Sequence, residues 1–137
     1  MSRLVMAPFA AAGLALEALG VAALVGWQIV ALATGDTAST VSAVALAVLT
    51  AVGAVGLGAF AVAVHRGSSM ARSGGIVAQV LILAVALGAA TGEYAHPLTA
   101  AAIAVPAVVE LVLLIVTAGQ AARLAAADDG AAADDSV

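Results

Sequence analysis

Residues Ser39 to Val64 read STVSAVALAVLTAVGAVGLGAFAVAV, a run with no charged residue, closed by His65-Arg66-Gly67. The run is too long for a strand, and a helix crossing a bilayer needs about 20 mostly apolar residues. Working outward from it finds three more such runs. One precedes it, from about Leu4 to Ala33, bounded by Arg3 and by Thr34-Gly35-Asp36, a natural helix stop. One follows from about Gly74 to Gly92, with Ser73 placed to cap its start. The last begins at Pro97, where proline suits a first helical position, and runs to about Gly119. The expected fold is therefore all-α: a polytopic membrane protein with a four-transmembrane-helix bundle over residues 1–127. Residues 128–137, with Asp128, Asp129, Asp134 and Asp135, are expected to form an acidic, disordered tail.

Composition agrees with this reading. The chain has 137 residues, 65% hydrophobic and 9% charged, with a mean hydropathy of +1.23. Soluble domains average roughly 25% charged residues, so this chain has too few charges to cover a water-facing surface. A soluble globular domain and a nucleic-acid partner are excluded on that ground. The chain lacks cysteine, which removes disulfides, thiol chemistry and Cys-based zinc sites. The first run is near thirty residues and contains Glu17, whereas a signal-peptide core has roughly 7–15 apolar residues. It is expected to remain as a span.

Orientation follows from the arginines. Arg3 precedes the first span, Arg66 and Arg72 lie between the second and third, and Arg123 follows the fourth. The loops at Asp36 and at Glu93-Tyr94-Ala95-His96 carry no basic residue. All four cations thus fall on one side, which places both termini in the cytoplasm and the protein in the cytoplasmic (inner) membrane. The same arginines are candidates for contact with lipid headgroups. Trp27 and Tyr94 fall near the outer interface, where aromatic anchors belong. Gly13 and Gly20, and Gly53, Gly56 and Gly58, offer small faces for close helix contact.

Of the four arginines and eight acids, only Glu17 and Glu110 fall inside a span. Helical rise puts both within roughly 3 Å of the midplane and Gln79 about 6 Å from it. Thr50 is near the middle of the second span. These four form a candidate intramembrane polar cluster. An ionised carboxylate at the bilayer centre costs at least about 2.5–3.5 kcal/mol, and no basic residue lies in a span to pair with one. Both glutamates are therefore expected to face the bundle interior as neutral acids, with Gln79, Thr50 or a backbone carbonyl accepting a hydrogen bond. Pro106, one turn before Glu110, frees the carbonyl of Ala102 and is expected to kink the helix and leave room for water. Two readings stay open: a protonatable pair that binds a cation or relays a proton, or hydrogen-bonding pins that fix packing.

No nucleophile with a base, phosphate loop or metal-ligand spacing is present, so neither an enzyme nor a cofactor is expected. His65 and His96 fall on opposite sides and cannot share a metal.

Leu16-Glu17-Ala18-Leu19, the loop Thr34-Gly35-Asp36 and the stretch Arg66-Gly-Ser-Ser-Met-Ala-Arg72-Ser-Gly-Gly-Ile-Val-Ala-Gln79 resemble an uncharacterised group of small four-span membrane proteins of actinobacteria. In that group a basic middle loop of the form Arg-x-x-x-x-Ala-Arg leads to a Gln inside the third span. Here Met70 stands where an aromatic is frequent, and Gly74 where a proline is frequent. The resemblance covers most of the chain and implies a fold without an activity. A topological likeness to small multidrug resistance transporters rests on Glu17-Ala-Leu-Gly20, similar to their Glu-x-x-Gly pattern. It implies a proton- and substrate-binding role for Glu17. Those proteins line the site with Tyr and Trp, which are missing from the centre here, and have no counterpart of Glu110. The leading expectation is an accessory or scaffold protein, or a self-assembling bundle, with the lipid bilayer and another membrane protein or its own copies as partners. The alternative is a small proton-linked transporter or pore using Glu17 and Glu110.

Overall fold

The computed structural model describes residues 6–91 and 95–134. They form four helices and no strand: α1 (Ala7–Thr34), α2 (Thr40–His65), α3 (Ser69–Thr91) and α4 (Pro97–Asp134). All four are long and apolar enough to cross a membrane. None has a polar face, and a helix that is apolar all round requires an apolar surrounding. Leu16, Trp27 and Leu49 point outward at 70%, 77% and 70% exposure, which suits hydrocarbon and not water. Arg3, Glu93, Tyr94 and Asp135, and the span ends expected at Leu4 and Gly92, lie outside the described residues.

The turns explain the boundaries. Gly35 closes α1 at φ 72°, and the Asp36 and Gly35 amides donate to the carbonyls of Ala31 and Leu32. Gly67 does the same for α2 at φ 82°, with Ser68 and Gly67 bonding Ala63 and Val64. Both are left-handed stops in which glycine avoids a Cβ clash. Ser39 caps α2 through the Ser42 amide. The start of α3 differs from expectation: it begins at Ser69, because the Ser68 hydroxyl accepts from the Ala71 amide. Ser73 is already inside the helix and donates to the Ser69 carbonyl instead.

The acidic tail also differs. Helix α4 runs without a break to Asp134, taking in Asp128 and Asp129. Ala125 to Ala127 and Ala131 to Ala133 flank those acids, and alanine extends an existing helix at almost no cost. At 38 residues, α4 is about 57 Å long, nearly twice the hydrocarbon thickness.

The helices alternate in direction and stand in a ring. Helix α1 packs along α2 and α3 along α4, while α4 meets α1 and α2 meets α3 over shorter stretches. Buried positions recur with alternating steps of three and four. Examples are Ala7, Ala10 and Leu14 on α1, and Ala107, Glu110, Leu114 and Thr117 on α4. That is the spacing of a bundle seam. The densest packing joins Ala10, Leu14, Ala61, Val64, Ala71 and Leu114, all towards the end that carries Arg66 and Arg72. Among the described residues, the buried hydrophobics near the level of Gln79 and beyond it towards Asp36 are Leu57, Ala107, Ala47, Ala86 and Ala100, of which only Leu57 is large. Large buried side chains are thus concentrated towards the arginine end.

Candidate intramembrane polar site

Glu17 lies on the α1 seam, one turn beyond Gly13 and Leu14. Across the bundle, the fully buried Gln79 donates its Nε2 to Glu17 Oε2, joining α3 to α1. Glu110 is 2% exposed and enters from α4. Its carboxyl occupies the space a side chain at Gly13 would fill. A methyl there would overlap Oε2 and sit 2.9 Å from Cδ. Gly13 is therefore the seat of Glu110, and the missing Cβ is what lets α4 approach α1 at this level. Gln79 Oε1 and Glu110 Oε1 are buried without a donor.

Thr50 is not part of this group. Its hydroxyl donates to the Leu46 carbonyl at 2.7 Å and accepts from Gln28 Nε2 at 3.3 Å. Gln28 and Thr50 form a separate α1–α2 link. Sequence reading had not singled out Gln28. The available signal was its spacing of eleven residues from Glu17, which is three helical turns and so the same face. Thr117, fully buried on α4, was also passed over. It donates to the Leu113 carbonyl of its own helix.

Pro106 sits inside α4, which continues through it. The proline is exposed, whereas Glu110, one turn on and about 40° further round the helix, is buried.

The arginines divide into two kinds. Arg66 and Arg123 are exposed. Arg72 is 8% exposed, and its Nη1 donates to the Gly67 carbonyl at 2.9 Å. It ties down the α2–α3 turn. The cause is the early start of α3, which turns Arg72 into a first-turn helical residue facing the seam. Gln120 Oε1 accepts from the Met6 amide, linking the start of α1 to α4 at the same end.

Of the glycines expected to form small faces, Gly20, Gly53 and Gly56 have open space where a Cβ would stand. The close approaches are at Gly13, at Gly74 against Phe60, and at Gly75 against Leu114. Among the described residues no group of three or more His, Cys, Asp or Glu stands close enough to hold a metal ion. Comparison with protein-family models, with curated proteins and with solved structures gave no match.

Proposed function

We propose that this chain is a non-enzymatic accessory or scaffold of the cytoplasmic membrane that works through contacts with another membrane protein or with its own copies. The observation that carries the reading is the use of the interior polar groups. Glu17 is held by Gln79, Glu110 is seated on Gly13, and Thr50 is bonded to Gln28. The Glu17–Gln79 and Thr50–Gln28 hydrogen bonds each join one helix to another, which is the role of polar residues as interhelical glue, and Glu110 fills the notch at Gly13. The outward faces carry Ala, Val and Leu, suited to lipid and to apolar partner helices. Arg66, Arg72 and Arg123 lie towards one end of the ring, and the positive-inside rule assigns that end, with both termini, to the cytoplasm. The resemblance to the actinobacterial four-span group is compatible with this role.

The test is purification of the intact chain in mild detergent, followed by mass spectrometry of what accompanies it. A stoichiometric membrane partner or a defined homo-oligomer is expected. Glu17→Gln and Glu110→Gln should keep membrane insertion and that association. Loss of the association in both variants, with insertion and folding intact, would refute the scaffold reading.

One observation favours the second reading, a small proton-linked transporter. The orphaned Oε1 atoms of Gln79 and Glu110 leave acceptor capacity beside Glu17. That reading requires pH-dependent flux through liposomes holding the purified protein, abolished by Glu17→Gln. Absence of flux across a broad panel of cations rejects it.

A further inference from the structure

The outer face of the α1–α2 pair carries a slot. Near the arginine end it is a shallow, open groove of about 480 Å³, bounded by Pro8 and Ala12 of α1 and by His65 and Arg66 of α2. A second shallow stretch of about 450 Å³ extends it to Ala22 and Ala54. Both are lined by Ala15, Ala61 and Val62, so they form one continuous groove. From Arg66 to Ala54 the helical rise gives a length of about 18 Å, close to the depth of one leaflet's hydrocarbon. Small side chains make the floor: Ala18 Cβ lies 4.0 Å from where a Cβ on Gly58 would be. The shape and chemistry suit a single linear hydrocarbon chain.

Two features favour an anion at the mouth of the slot. Arg66 is exposed there and carries a guanidinium. Helices α2 and α3 contain no acidic residue. The carbonyls of Val62, Ala63 and Val64, which end α2, are already bonded by the turn. They do not compete for Arg66.

We propose that this groove is a binding site for an anionic phospholipid. One acyl chain lies along Ala15, Ala18, Gly58 and Ala61, and the phosphate is held by Arg66, with His65 beside it. An arginine presents paired N–H donors to phosphate oxygens, and its charge favours a lipid with net negative charge over a zwitterionic one.

The test is native mass spectrometry of the full chain in mild detergent, titrated with phosphatidylglycerol and with phosphatidylcholine of identical acyl chains. The wild type is expected to bind phosphatidylglycerol roughly fivefold to tenfold more tightly. Arg66→Gln removes that preference while keeping weak binding of both lipids. Ala15→Leu, at an exposed position that tolerates bulk in the fold, plugs the slot and lowers both. Arg123→Gln, a cation that does not line the groove, leaves the preference unchanged. Equal binding of the two lipids by wild type, or an equal loss in Arg66→Gln and Arg123→Gln, overturns the proposal. Displacement of phosphatidylglycerol by millimolar inorganic phosphate would show a headgroup site without a chain slot and overturn it as well.

Discussion

Placing a methyl group on Gly13 puts it inside the space of the Glu110 carboxyl, which is 2% exposed and has little room to move. Overpacking of this kind costs about 1–3 kcal/mol. Alanine in place of glycine in a helix returns about 0.8–1.0 kcal/mol. The expected net effect of Gly13→Ala is therefore a destabilisation of roughly 0–2 kcal/mol, too broad a range to test by itself. The decisive measurement is the double-mutant cycle with Glu110→Ala. Once the carboxyl is gone, the methyl enters free space and Gly13→Ala becomes stabilising by about 1 kcal/mol. The coupling between the two sites should then be about 1–3 kcal/mol, in the range seen for residues in direct contact. Reversible unfolding in mixed micelles, followed by far-ultraviolet circular dichroism, reads all four corners. The same cost for Gly13→Ala in both backgrounds would mean that Glu110 does not rest on Gly13. The account of how α4 docks on α1 would then fail.

Further outcomes are expected with the same assay. Gln79→Leu leaves Glu17 without its donor and should cost about 1–3 kcal/mol. Gln28→Leu should cost about 0.6 kcal/mol, because Thr50 keeps its bond to the Leu46 carbonyl. Equal costs would contradict the separation of the two polar links. Leu114→Ala opens a cavity in the arginine end and should cost about 2–5 kcal/mol, whereas Leu49→Ala on the lipid face should stay within about 0.5 kcal/mol. Arg72→Gln removes a charged hydrogen bond to the α2–α3 turn and should cost about 1.5–3 kcal/mol. It should also raise amide exchange at Gly67 and Ser68, which Arg66→Gln does not.

The spans were legible because their signal is local. An unbroken apolar run of bilayer length, stopped by Gly35 or by Arg66-Gly67, has one helical solution in lipid whatever its neighbours do. The same locality misled at two ends. Ser73 looked like a cap, yet Ser68 is better placed because the left-handed Gly67 delivers the chain to it. The aspartates after Ala127 looked like a disordered tail by charge, yet the alanines around them carry α4 on to Asp134. In both cases a neighbouring residue decided the outcome.

The polar site was partly legible. Acids in apolar runs stand out, so Glu17 and Glu110 were visible with Gln79. Their pairing was not, because depth along a helix says nothing about rotation around it or about which helices are neighbours. Thr50 bonds Gln28, three helical turns and about 16 Å from Glu17, because α1 and α2 pair with their span midpoints offset. The sequence by itself determined that four helices form and that two acids are enclosed among them, since lipid demands internal satisfaction of every backbone group and strongly disfavours a bare charge. Only the tertiary structure decided that α1 lies between α2 and α4, that Gly13 receives the Glu110 carboxyl, and that Arg72 turns inward to a carbonyl. In an apolar solvent these choices rest on close packing between particular side chains, a property of pairs of residues far apart in the chain.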